Sequence, residues 1–162
     1  MNKTLYLTRA ALIAALYVAL TYLAALFGLS SGAVQFRISE MLCILPIFLP
    51  EAIPGLTIGC LIANLVTAAA PWDIVFGSVA TLIGAVGAYL LRKIPHALKW
   101  IATIPTILAN AIIVPFVLMY TYGAEDSYII LMLLVGLGEV VCAGIGGTIL
   151  YYSLKKTRFI IK

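Results

Sequence analysis

The sequence predicts an all-α integral membrane protein, a bundle of six transmembrane helices. Three observations predict it. Hydrophobic residues make up 64% of the 162 and charged residues only 10%, whereas soluble domains carry about a quarter charged residues. The apolar residues fall in runs suited to helices crossing a hydrocarbon core of ~30 Å. Nine of the ten basic residues fall on one side of a single topology, as positive-inside ordering requires. Residues 1–162 therefore read as one transmembrane domain with no room for a large soluble one.

The first span covers about 5–29. Lys3 and Arg9 precede an apolar stretch, as in a signal peptide, but Ala10–Leu29 is longer than a signal core and further helix-length runs follow. It reads as a retained helix, broken at Ser30, Ser31 and Gly32. The second span, about 36–49, and the third, about 54–70, are short. Pro46 and Pro50 punctuate the second, and Pro50–Glu51–Ala52–Ile53–Pro54–Gly55 reads as the turn between them. At ~1.5 Å per residue a 15-residue helix covers only ~22 Å, so these segments form either two short spans or one re-entrant hairpin. Six spans are preferred, because the backbone of a re-entrant tip needs burial in protein. The fourth span, about 74–92, follows Pro71, Trp72 and Asp73 and ends at Arg92 and Lys93. The fifth, about 100–122, tolerates Pro105 and Pro115, and the sixth covers about 128–154.

Charge orients the bundle. Lys3 and Arg9 flank the first span, Arg92, Lys93 and Lys99 share one loop, and Lys155, Lys156, Arg158 and Lys162 form the tail. Both termini and the 92–99 loop are thus expected on the cytoplasmic side of the cell membrane, with Asp73, Glu125 and Asp126 outside. The formal charge of +4 is explained by this topology, and no clustered basic face points to nucleic acid. Cys43, Cys60 and Cys142 lie in apolar runs without metal-ligand spacing, and read as small buried hydrophobes.

Chemistry is excluded more easily than assigned. There is no GxxxxGK[ST] to cradle ATP and no HExxH. The single His96 lies in the cytoplasmic loop, and no Ser/His/Asp set assembles at membrane depth. The chain is not expected to be an enzyme and calls for no cofactor or metal. It also lacks the two similar halves of a self-sufficient secondary transporter.

Polar residues in the spans are costly, so each is informative. Glu139 is the twelfth residue from Tyr128, ~16 Å inward, with no basic residue within eleven positions. It needs a partner, water, a ligand or a proton. Arg37 and Glu40 are three apart and would share a helix face, either as an interfacial ion pair or as part of a ligand pocket. Asn110 sits near the middle of the fifth span; Asn64 and Trp72 sit toward the outer end of the third. These groups can converge on one cavity open to the outside. Glu51 reads as an ordinary polar turn residue, and Asp73 with Trp72 as an interfacial anchor and helix cap. Ala10, Ala14, Ala15 and Ala19 give the first span a small-residue face, suited to packing within the bundle or to docking a separate membrane subunit.

The stretches Val34–Gln35–Phe36–Arg37–Ile38–Ser39–Glu40, Leu45–Pro46, Pro50–Glu51–Ala52–Ile53–Pro54–Gly55–Leu56, Ile58–Gly59–Cys60–Leu61–Ile62–Ala63–Asn64–Leu65 and Asp73–Ile74–Val75–Phe76–Gly77–Ser78–Val79–Ala80–Thr81–Leu82 resemble the QueT family. The resemblance is densest over about 34–85. It implies a substrate-binding S component of an energy-coupling factor (ECF) transporter, importing queuosine precursors: 7-deazaguanines such as preQ1, preQ0 or queuine. It also implies a transmembrane coupling subunit and two ATPases as partners, with the alanine face resembling the docking motif of such subunits. A deazaguanine presents adjacent N1–H and 2-amino donors that suit a carboxylate, supplied by Glu139 or Glu40. The aminomethyl cation of preQ1 would suit the second acid. Asn110 or Asn64 could read the 6-oxo edge, and Phe36, Trp72, Phe76, Tyr120 and Tyr122 are candidates for an aromatic wall.

Overall fold

The computed structural model describes residues 3–29, 35–67 and 69–156. The break at Ser30–Gly32 and the basic tail from residue 157 lie outside them. Every regular element among the described residues is helical: α1 Lys3–Leu26, a 3₁₀ segment Ile38–Ile47, α2 Ala52–Val66, α3 Pro71–Leu90, α4 Ile104–Tyr122, α5 Tyr128–Glu139, a π stretch Val140–Gly146 and α6 Gly147–Lys156. Short 3₁₀ turns at Leu91–Lys93 and His96–Thr103 join α3 to α4. Four helical stretches, Lys3–Leu26, Pro71–Lys93, His96–Tyr122 and Tyr128–Lys156, are long and apolar enough to cross a membrane.

Proline and glycine set the boundaries. Pro71 opens α3 and Pro105 lies in the first turn of α4, where a missing N–H removes no helical bond. Only Pro115 lies inside α4. Gly123, at φ 67°, ends α4 with its N–H on the Leu118 carbonyl, the left-handed stop that glycine adopts without a Cβ penalty.

The expected span at 36–49 is not an α-helix. Ile38–Ile47 is a ten-residue 3₁₀ helix, buried along most of its length. At ~2.0 Å per residue it advances about 20 Å, a third more than an α-helix of equal length. That lets a short segment run from Arg37, beside Asp73 at the start of α3, to Phe48, which packs with Leu91, Ala102 and Tyr151 near its end. Helix α2 returns in the opposite direction. The 3₁₀ segment touches α1, α3, the π stretch and α6, while α1 packs on α2, α2 on α3, α3 on α4, and α4 on α5.

Close approach depends on small residues. A Cβ on Gly55 would stand 2.7 Å from the Ala10 carbonyl oxygen, and one on Gly59 2.9 Å from Tyr17 Cβ and 3.0 Å from Ala14 Cα. Ala10 and Ala14 therefore pack inside the bundle, whereas Ala15 and Ala19 are exposed. Glu51 pairs with Arg9, Phe48 stacks on Tyr151 and Tyr151 contacts His96, which gathers Arg9, Arg92, Lys93, Lys99, Lys155 and Lys156 toward one end. The outer surface is apolar: Leu7, Leu12, Leu90, Ile129 and Leu137 are all more than half exposed. Glu40, Asn110 and Glu139 are buried instead, the inverse of a soluble domain and the arrangement lipid favours.

Candidate functional site: a buried polar layer

Two polar groupings occupy the interior. The first closes the end where α3 begins. Arg37 Nη2 lies 3.4 Å from both Asp73 carboxylate oxygens, and Arg37 Nε donates to Gln35 Oε1 at 3.1 Å. Tyr122 donates to Asp73 Oδ2 at 3.3 Å, and Asn64 Nδ2 donates to the Asp73 carbonyl at 3.2 Å. Arg37 thus pairs with Asp73 rather than Glu40, because Arg37 precedes the 3₁₀ helix with φ −81° and ψ 87° and does not share its face. Asp73 is no surface cap: it lies on the inward face of α3 with Gly77, Thr81, Ala85 and Ala88.

The second grouping lies deeper. Glu40 accepts hydrogen bonds from the Tyr17 hydroxyl, from Thr81 Oγ1 at 3.5 Å and from Cys43 Sγ at 3.1 Å. Thr21 and Ser39 bond at 2.7 Å one turn away. The Glu40 carboxyl is therefore engaged by the protein itself. Glu139 differs. It is 4% exposed, and its Oε2 has no hydrogen-bond partner among the described residues. Asn110, 1% exposed, stands beside that carboxyl, near enough to act on it as a weak donor, yet neither its Oδ1 nor its Nδ2 reaches full hydrogen-bond geometry with a partner among the described residues. Thr106 Oγ1, one turn from Asn110 on α4, also has no hydrogen-bond partner among the described residues. Glu40 and Arg37 both lie within electrostatic reach of Glu139. The π stretch starts directly after Glu139, and a Cβ on Gly138 would strike the Gln35 carbonyl at 2.3 Å, so the 35–37 segment runs against the backbone beside Glu139.

The sequence-derived candidates therefore separate. Glu40, Glu139 and Asn110 meet in the deep layer. Arg37 and Asn64 belong to the clasp around Asp73, with half-buried Phe36 next to Arg37. Trp72 and Tyr120, 60% and 84% exposed, instead line an outward groove of about 510 Å³ with Phe76 and Phe116. Tyr17, Gln35 and Thr81 complete the interior groupings, and half-exposed Tyr122 borders the clasp. Tyr17 and Thr21, four apart on the buried face of α1, are the available sequence signal for that helix. Glu51, read as a turn residue, is buried and paired with Arg9 at 3.0 Å. Cys43, Cys60 and Cys142 are buried free thiols. Lys99, assigned to a loop, is buried in the His96–Thr103 turn and donates to the Arg92 carbonyl.

A second groove, of about 780 Å³, runs between α1 and α2. Ala10, Ala11, Ala14, Ala15, Val18 and Ala19 line one side, and Gly55, Ile58, Ile62 and Val66 the other.

Apolar helices around buried, partly unpaired polar groups define a multi-pass membrane protein with a polar site in its interior. The chain belongs to the QueT transporter family, whose profile matches residues 7–156. Membership in a transporter family agrees with the absence of a catalytic set in the sequence. The chain is 36% identical over 101 residues to the queuosine precursor transporter QueT of Lactococcus lactis subsp. cremoris (strain MG1363). That match covers 61% of this chain and 59% of the relative's length. No solved structure matches the chain.

Proposed function

We propose that this chain is the solute-binding S component of an ECF-type importer, and that it takes up a 7-deazaguanine precursor of queuosine from outside the cell. The observation that carries this reading is the unpaired set at Glu139 and Asn110. A buried polar group without a partner costs about 1–3 kcal/mol, so a ligand that completes the set gains what the empty site lacks. The carboxylate offers acceptors, and the Asn110 amide offers a donor and an acceptor. A guanine-type edge presents two adjacent donors beside a carbonyl: N1–H and the 2-amino group face Glu139, and the 6-oxo group faces Asn110 Nδ2. An adenine-type edge presents one donor there and leaves an acceptor unmatched, the kind of mismatch that polar sites reject strongly.

Family membership and the Lactococcus relative support the substrate class. The gathering of basic residues at one end supports an even number of spans, six in this reading, with both termini cytoplasmic. The α1–α2 groove, with Ala15 and Ala19 exposed, supports docking of a transmembrane coupling subunit, which would join the chain to two ATPase subunits. The chain itself has no nucleotide-binding motif.

The test is thermal stability of the purified chain in detergent with preQ1, preQ0, queuine, guanine, adenine, riboflavin or thiamine in excess. A ligand at a hundred times its dissociation constant stabilises by about 2.7 kcal/mol. The expected result is a rise with a deazaguanine that is lost in Asn110→Ala and Glu139→Gln. A rise with only an unrelated vitamin overturns the substrate, and no rise in folded protein overturns the solute site.

A further inference from the structure

We infer that Glu40 is a specificity-determining residue of this site: a carboxyl held by the protein that selects a heterocycle carrying a protonated amine over a neutral one of the same shape. This rests on the solute-site reading above and adds a rule of charge to it.

The inference begins with the ionisable groups. In the polar layer, Arg37, Asp73, Glu40 and Glu139 are buried. One guanidinium thus faces three carboxyls. The guanidinium is engaged, with both Asp73 oxygens at 3.4 Å and Gln35 at 3.1 Å. The other ion pair among the described residues, Arg9–Glu51, ties the start of α1 to the turn before α2 and brings no cation to the layer. Two carboxyls, Glu40 and Glu139, are left in excess. Uncompensated charge inside a membrane protein is costly and marks a site where something else supplies the balance.

The two acids have different tasks. Glu139 has an open oxygen and an unpaired amide beside it, and takes the ligand's hydrogen-bonding edge. Glu40 has no such freedom. Tyr17 from α1, Thr81 from α3 and Cys43 from its own segment all donate to it, so turning toward a ligand would abandon them. It acts through its field instead, which falls off slowly where little water screens it, and that field reaches Glu139. A ligand bearing an ammonium group relieves the excess charge on binding, and a neutral ligand leaves it in place. A proton kept on one acid would also relieve it, but the site would then accept charged and neutral ligands alike.

The experiment measures dissociation constants for the full chain in detergent by titration calorimetry. The probes share one ring: 7-aminomethyl-7-deazaguanine, its neutral hydroxymethyl isostere and the 7-cyano compound. The expected result is amine binding at least tenfold tighter than the hydroxymethyl isostere. In Glu40→Gln that ratio falls to within twofold of unity, because amine binding weakens at least fivefold more than binding of the neutral probes. A merely structural Glu40 would weaken all three together, and that outcome overturns the inference. Equal affinity for amine and isostere in the unmodified chain also overturns it, with no variant required, and leaves the solute-site reading intact. If none of the three binds to folded protein, that reading fails and the charge rule fails with it.

Discussion

Removing the Asp73 charge is the sharpest test of the described packing. Asp73→Asn keeps the size of the side chain but removes the one carboxylate in direct contact with the Arg37 guanidinium. Both partners are 8% exposed and the contact is 3.4 Å, so water cannot readily take the place of the lost carboxylate. Breaking one side of a buried pair typically costs about 3–5 kcal/mol. The long contact, together with the Gln35 bond that Arg37 retains, points to the lower end, about 3 kcal/mol. Arg37→Met/Asp73→Asn removes both charges and should lose only about 1 kcal/mol, because neither member of the pair is left without the other. The Arg9–Glu51 pair supplies the control. Arg9 is 42% exposed, and Arg9→Gln should cost under about 1 kcal/mol, in the range of solvated pairs. The assay is reversible unfolding in mixed micelles, followed by helical circular dichroism, with the four corners of the Arg37/Asp73 cycle measured side by side. A loss below about 1 kcal/mol in Asp73→Asn, or a double variant as unstable as the sum of its single variants, would refute the buried clasp.

Two further perturbations probe the helix contact and the binding layer. Gly59→Val places side-chain atoms where even a Cβ would stand 2.9 Å from Tyr17 Cβ; overpacking of this kind costs about 1–3 kcal/mol, and a melting temperature equal to that of the unmodified chain would contradict the α1–α2 contact. Glu139→Met should do the opposite: it removes an unpartnered buried carboxyl and raises the stability of the ligand-free protein by about 1–3 kcal/mol, while abolishing the thermal shift with deazaguanines. A destabilised Glu139→Met protein in the same micelle assay would mean that Glu139 already has a partner.

The sequence made some of this legible because lipid makes polar residues expensive. Glu139, Asn110 and Glu40 were identifiable from residue type and depth alone, and the long apolar runs marked the helices that contain or frame them. Arg37's partner was not legible. Pairing it with Glu40 at a spacing of three assumes that both lie on one helix, and Arg37 stands just outside it, so its side chain is free to reach a helix more than thirty residues further on. Asp73 illustrates a different limit. Its position beside Pro71 and Trp72 fits a helix cap, but the small residues at Gly77, Ala85 and Ala88 mark the face that turns inward, and Asp73 lies on it. Trp72, its neighbour, points about 100° away around the helix and is exposed. The 3₁₀ winding of Ile38–Ile47 had no local signature; it follows from the distance that so few residues must cover between two packed ends.

Lipid surrounds this bundle with a medium as apolar as its own side chains, so hydrophobic burial gives the helices little preference for one arrangement over another. Arrangement falls to contacts that lipid cannot imitate. Between α1 and α2 these are glycine against alanine at Gly55–Ala10 and Gly59–Ala14. Between α1 and the 3₁₀ segment they are the bonds Tyr17–Glu40 and Thr21–Ser39. Between that segment and α3 they are Arg37–Asp73 and Thr81–Glu40. Nearly every polar group on these three contacts is used in holding the fold. Across the bundle, on α4 and α5, the Asn110 amide and Glu139 Oε2 make no full hydrogen bond among the described residues. Groups that fix the architecture and groups left open are therefore carried by different helices. On the proposed reading, a ligand at Glu139 and Asn110 would bind and leave without breaking the bonds that hold α1, the 3₁₀ segment and α3 together, and the α1–α2 groove lies on the side those bonds hold.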